Sequence, residues 1–197
     1  TIAVTAKVTD ALLTFVFVKS GSTWTRQAQL PVATIFPRAL ALDADRIAIG
    51  LSDDSTLRYK AGSVVVFERS GTTWSKAATL LPPDPVVEGQ FGGTVSLVGD
   101  RLLVGATQAG RFYLFRRIGM EWKLEAGSQS RLGLTAPTVA FDAASMSSSW
   151  IAIGTPNQIV SDLKNAGAVF VYPTTCSSDD NCAANAFCGA GGTCLSS

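Results

Sequence analysis

The sequence predicts an all-β chain made of repeated units of four antiparallel strands, followed by a short cysteine-rich tail. Three observations carry that expectation. Short apolar runs rich in Val, Ile, Phe, Leu and Thr are separated by Gly-containing turn signals, as half-buried pleated strands require. Aromatic markers recur: Phe17, Phe67 and Phe115 each end an apolar run, and Trp24, Trp74 and Trp122 each follow a short turn. All four cysteines lie beyond Tyr172.

The units follow in order. Residues 2–6, 12–18 and 23–30 read as the second, third and fourth strands of a first unit. Two full units occupy 38–80 and 91–128, and a fourth supplies strands near 137–142, 150–154 and 167–172. The segment KSGSTW (19–24) is nearly repeated in ERSGTTW (68–74), and RRIGMEW (116–122) is a degraded copy. A second marker precedes each Phe: IAIG at 47–50, LLVGA at 102–106 and IAIG at 151–154, with Ile2-Ala3-Val4 in the same slot. In the best copy the strands are Thr94–Val98, Arg101–Ala106, Arg111–Arg117 and Trp122–Ala126, with Gly99-Asp100 as a two-residue hairpin turn. Val64-Val65-Val66-Phe67 is apolar on both faces, which suits a strand covered on both sides.

A unit of about 50 residues carrying four antiparallel strands is the signature of a β-propeller blade. The division expected is blades at 1–34, 35–83, 84–130 and 131–172, then a tail at 173–197. That amounts to about three and a half blades. We expect them to belong to a larger ring whose remaining blades come from upstream sequence or a partner chain; a small four-bladed ring is the alternative.

Composition excludes several classes. Net charge is +1 with no long basic run, so no nucleic-acid footprint is present. The chain has no histidine, which removes Ser-His-Asp and Cys-His nucleophile–base pairs and His-ligated metal sites. No apolar stretch is long enough to span a membrane as a helix. Only 16% of residues are charged, a composition common in extracellular β-proteins.

In the tail Cys176, Cys182, Cys188 and Cys194 are spaced six residues apart. Four cysteines allow three pairings; 176–188 with 182–194 is favoured here, and a four-cysteine zinc site competes without the tight C-x-x-C pairs it normally shows. Disulfides imply an oxidising compartment: periplasm, cell surface or outside the cell.

The run from Phe91-Gly92-Gly93 through Gly105-Ala106 resembles the FG-GAP repeat, which builds the integrin α-subunit-type seven-bladed propeller. The flanking Gly-x-Val-x-Val-Phe and Ser-Gly-Thr-Thr-Trp segments resemble its bacterial subgroup. The resemblance covers about residues 1–172, and it marks Phe17, Trp24, Phe67, Trp74, Phe91, Gly92, Gly105, Phe115, Trp122 and Gly154 as structural repeat positions. The tail is similar to short Cys-rich modules of secreted bacterial proteins, including those of myxobacteria. The family implies non-catalytic extracellular recognition: adhesion, matrix or glycan binding, protein docking. It also implies calcium in D-x-D-x-D-G-type loops between the second and third strands of a blade. Of the matching loops only the one holding Asp53 and Asp54 is acidic, and it lacks alternating carboxylates. Asp179 and Asp180 in the tail are weaker candidates still, with a hydrophilic turn the favoured reading, and no metal or other cofactor is expected.

The carboxylate pairs Asp43/Asp45 and Asp53/Asp54 invite comparison with a glycosidase pair, but nothing in the sequence places them around a pocket. Arg38, Arg46, Arg101 and Arg111 sit at strand starts, in reach of a face or rim of the ring. The expected function is a non-catalytic surface or secreted interaction module; the alternative is a lectin that binds glycans between blades, with tryptophans as stacking platforms. The partner expected is a cell-surface protein or glycan, not a nucleic acid.

Overall fold

The structure, a computed structural model, describes residues 1–8, 11–32, 37–127, 143–155, 167–174, 186–189 and 193–196. Every regular element among them is a strand. Blade 1 comprises β1 (Ile2–Val8), β2 (Ala11–Ser20) and β3 (Thr23–Leu30). Blade 2 comprises β4 (Ala39–Asp43), β5 (Arg46–Leu51), β6 (Ser63–Ser70) and β7 (Thr73–Leu80). Blade 3 comprises β8 (Phe91–Val98), β9 (Arg101–Ala106), β10 (Arg111–Ile118) and β11 (Glu121–Gly127). Blade 4 comprises β12 (Ala143–Met146), β13 (Trp150–Thr155) and β14 (Ala168–Pro173). Each blade is an antiparallel meander in sequence order. In the tail β15 (Ala186–Gly189) and β16 (Thr193–Ser196) form a hairpin whose backbone register sets Cys188 opposite Cys194.

The sequence reading places the first strand of blade 4 near 137–142. Those residues lie outside the described ones, and the strand paired with β13 is β12, at 143–146. Its Ala-Ala-Ser-Met sequence has no β-branched residue to announce a strand, so the pairing with Ile151–Gly154 alone marks it.

The blades fan out. First strands of adjacent blades pack closely, β4 on β8 and β8 on β12, whereas the outer strands β3, β7 and β11 barely meet. The core is therefore three slabs between sheets. Each sheet alternates, so its two faces differ. Blade 2 turns Ile47, Ile49, Val65, Phe67 and Trp74 toward blade 1, and Ala48, Val64, Val66 and Ala78 toward blade 3. Blade 1 meets that bulky face with Ala3, Val16, Ala28 and Leu30. Blade 3 meets the small face with Phe91, Leu102, Val104, Tyr113 and Phe115, Phe91 lying edge-on to both other rings. Two blades thus interlock bulky against small, the arrangement that close packing favours.

The Phe-Gly start of blade 3 has a specific seat. Gly62 and Phe91 form a parallel bridge, and a Cβ on Gly50 would stand 1.9 Å from the Gly92 carbonyl oxygen. Gly92 itself has φ +85°, a conformation that side chains rarely adopt. Backbone rests on backbone here, so the glycines of IAIG and FGG are one joint.

The outer strands share a β-bulge. The register of β3, β7 and β11 shifts at one place each, leaving Gln27, Ala77 and Glu125 as the extra residues. Gln27 uses that position to accept a hydrogen bond from Trp74 Nε1 of blade 2 at 2.9 Å. Ala77 has no acceptor to offer blade 3, and Trp122 Nε1 is buried without a hydrogen-bond partner among the described residues.

Candidate functional site

The two ends of the meanders are unlike. At one end two-residue turns such as Ala44-Asp45, Gly71-Thr72, Gly99-Asp100 and Gly119-Met120 connect the strands. At the other end lie longer connections; those described in full are 52–62, 81–90 and 107–110. Recognition is concentrated in such loops because a rigid scaffold holds them and packing does not dictate their sequence.

Asp54 organises the first loop. Its Oδ1 accepts from the Thr56 amide at 2.8 Å and the Thr56 hydroxyl at 2.6 Å, and its Oδ2 accepts from Ser63 Oγ at 2.5 Å. Burial alone would raise the Asp54 pKa, but these hydrogen bonds from Ser63 and Thr56 outweigh it and hold the carboxyl below its ordinary range. Asp53 instead pairs with Arg38 at 3.2 Å and Lys60 at 3.8 Å.

The second loop is laced to the first. The amides of Glu88, Gln90 and Phe91 donate to the carbonyls of Tyr59, Lys60 and Ala61 at 2.8, 3.0 and 2.9 Å. The third loop joins through the Ala109 amide, which donates to the Gly89 carbonyl at 3.2 Å. Arg111 and the Tyr113 hydroxyl both donate to the Asp84 carboxylate. Burial pushes the Tyr113 hydroxyl well above the phenol range, the Asp84 hydrogen bond and charge add to the shift, and Arg111 opposes it.

Three residues in this lacing, Lys60, Glu88 and Gln90, have φ between 49° and 57°. Left-handed backbone is uncommon for such side chains and is stored where surrounding structure over-determines it. In these two loops Leu57, Tyr59, Leu81, Val86 and Val87 are exposed; Tyr59 is 58% and Val87 54% accessible. Lys60 Nζ stands 5.5 Å from the Tyr59 ring centroid. An ordered loop platform with an aromatic, apolar side chains and flanking cations has the chemistry of a protein-docking surface.

The sequence-predicted site residues fall as follows. Trp74 is buried at the slab between blades 1 and 2 with Arg69 over its ring, Trp122 packs against the slab between blades 2 and 3, and Trp24 is 45% exposed. Phe67, Phe91 and Phe115 are buried, while Phe17 is half-buried. Gly105 and Gly154 end β9 and β13 at the loop end. Asp43 accepts from the Gly99 amide at 2.5 Å, and Arg46 donates to the Gly99 carbonyl at 2.6 Å, so these two clasp blade 3 to blade 2. Asp45 takes Arg69 at 2.7 Å. Arg101 pairs with Glu125, Arg111 with Asp84 and Arg38 with Asp53, so these arginines serve within or between blades.

Of the calcium candidates, Asp53 pairs with Arg38 and Lys60, and Asp54 accepts from Ser63 and Thr56. Asp179, Asp180, Cys176 and Cys182 lie outside the described residues, as do the side chains of Cys188 and Cys194, so the expected pairing lies outside them too.

Sequence reasoning missed the platform of Leu57–Lys60 and Val86–Gln90. The usable signal was Val86-Val87, an apolar pair beyond the Pro-rich Leu81-Pro82-Pro83-Asp84-Pro85 turn, where burial in a strand is not available.

A family model described as the FG-GAP repeat matches residues 74–115. The match begins on the outer strand of blade 2, crosses the 81–90 loop and ends on the third strand of blade 3. It therefore contains the Phe-Gly joint and half of the platform. No curated protein matches the chain.

Proposed function

We propose that the chain is a non-catalytic extracellular interaction module that docks a protein partner through the loop platform around Tyr59 and Val87. The observation that carries the reading is the ordered, left-handed loop lacing that holds exposed apolar side chains in place. The FG-GAP repeat match supports an adhesion-type, non-catalytic module, and the cysteine-rich tail supports an oxidising compartment. Among the described residues no helix is long and apolar enough to cross a membrane. The carboxylates of Asp43, Asp45, Asp53 and Asp54 are each engaged in ion pairs or hydrogen bonds, which supports recognition over catalysis.

A glycan-binding reading rests on Trp24, the repeat tryptophan whose ring is exposed. The two are separated by immobilising the chain and presenting a panel of matrix and cell-surface proteins beside a glycan array. Binding to a protein that weakens at least about tenfold in Tyr59→Ser/Val87→Ser and is unchanged in Trp24→Ala supports docking. Glycan binding lost in Trp24→Ala and kept in the double variant replaces it with the lectin reading.

A further inference from the structure

We propose that the Asp84–Pro85 peptide bond is an acid-triggered cleavage site between blades 2 and 3, and that Arg111 and Tyr113 keep it intact in the folded chain. The bond lies in the connection 81–90, within Leu81-Pro82-Pro83-Asp84-Pro85. The proline after the aspartate governs which reaction the side chain can enter. Before most residues, the following amide nitrogen attacks the aspartate side-chain carbonyl and closes a succinimide. Pro85 has no N–H and cannot close that ring. What remains is attack by an Asp84 carboxylate oxygen on the carbonyl carbon of its own peptide bond. The bond from that carbon to the Pro85 nitrogen breaks. Its electron pair stays on the nitrogen, and a proton from the acid medium completes the leaving secondary amine. Water then opens the five-membered anhydride left on Asp84. One peptide bond and one water are consumed, and an α-carboxyl at Asp84 and an amino terminus at Pro85 are formed.

Such an attack needs a carboxylate oxygen that can swing onto the backbone, and the fold holds both. Arg111 donates to Oδ2 and the Tyr113 hydroxyl donates to Oδ1, so each oxygen has its own donor on β10. A carboxylate that accepts such charge-assisted bonds is also a poorer nucleophile. The donors are fixed in turn. Tyr113 is buried, with its ring edge-on to Phe91 and the centroids 5.4 Å apart. Burial pushes its hydroxyl above the phenol range, which keeps it a neutral donor. Arg111 stays charged throughout the acid range. Beyond Pro85, the amides of Glu88, Gln90 and Phe91 pin the chain to the carbonyls of Tyr59, Lys60 and Ala61. The nucleophile is thus restrained in the native loop and released wherever this clasp opens. The clasp involves none of the exposed apolar side chains of the platform, so cleavage and docking are tested separately.

The test follows the 197-residue chain by mass spectrometry in mildly acid formate buffer, once with its strands intact by circular dichroism and once in guanidinium chloride. Fragments 1–84 and 85–197 should form at least about tenfold more slowly in the folded chain, the scale set by one hydrogen bond to a charged group. Tyr113→Phe keeps the ring and removes the donor. Folded Tyr113→Phe and folded Arg111→Met should each cleave at least about threefold faster than the parent, and Arg111→Lys should restore part of the protection. Asp84→Asn should abolish cleavage at this bond. If Arg111→Met loses its circular dichroism, Tyr113→Phe and Arg111→Lys carry the test. Equal rates in the folded and unfolded parent, cleavage in neither included, overturn the inference. So do folded variants that cleave no faster than the parent, and cleavage that survives Asp84→Asn.

Discussion

Gly50 and Gly154 end the same IAIG sequence, in blades 2 and 4, and their surroundings are opposite. A Cβ on Gly50 would meet the Gly92 carbonyl at 1.9 Å; on Gly154 it would meet nothing nearer than 3.9 Å among the described residues. The difference is the neighbour. A glycine in this repeat is demanded by the next blade's opening strand, not by the strand it sits in. Repeat identity alone therefore does not record the contact: Gly154 keeps the residue without it among the described residues.

Paired substitutions at matched positions break or sharpen that comparison. The largest effect is expected for Phe67→Ala, at about 3–5 kcal/mol in chemical denaturation, because the ring is fully buried. Phe17→Ala, at the matched half-buried position, should cost about half as much. Equal costs would show that the blade 1 face is covered in solution.

Gly50→Ala should cost about 2–3 kcal/mol, since backbone must yield to the new methyl. Gly154→Ala should be neutral or stabilise by about 0.5 kcal/mol, as a strand glycine relieved of its entropy cost does. A destabilising Gly154→Ala would mean that a segment already lies against blade 4.

Smaller effects probe the loops and bulges. Ala77→Gln should give Trp122 Nε1 the acceptor that Gln27 gives Trp74, adding about 1 kcal/mol. Asp54 has a lowered folded pKa, so its contribution is present above the unfolded carboxylate value of about 3.9 and is lost as pH falls below it. The denaturation midpoint of the parent should drop on acidification through that window, and Asp54→Asn should flatten the dependence.

Much of the architecture was legible because the markers are local. Thr23–Leu30 and Arg101–Ala106 coincide with strands read from apolar runs and turn signals. The ends of the pattern were harder: β12 has an Ala/Ser-rich sequence that follows neither the Phe-Gly start nor a β-branched run. The docking platform was not legible. Lys60, Glu88 and Gln90 have no residue-type preference for left-handed backbone, and the hydrogen bonds that impose it join loops about 30 residues apart. The bulge at Ala77 was equally silent, since an alanine there announces nothing until Gln27 shows what the position is for.

The slab-wise core has a thermal consequence. Among the described residues no core cluster is shared by all four blades and each blade packs on its neighbours, so cooperativity is passed along a row. Amide exchange should then be slowest in the two blades flanked on both sides by packed slabs, in β5, β6, β9 and β10, and quicken toward β1 and β14. The molecule would fray from its ends inward, and anything that caps an end would slow exchange several sheets away without touching them.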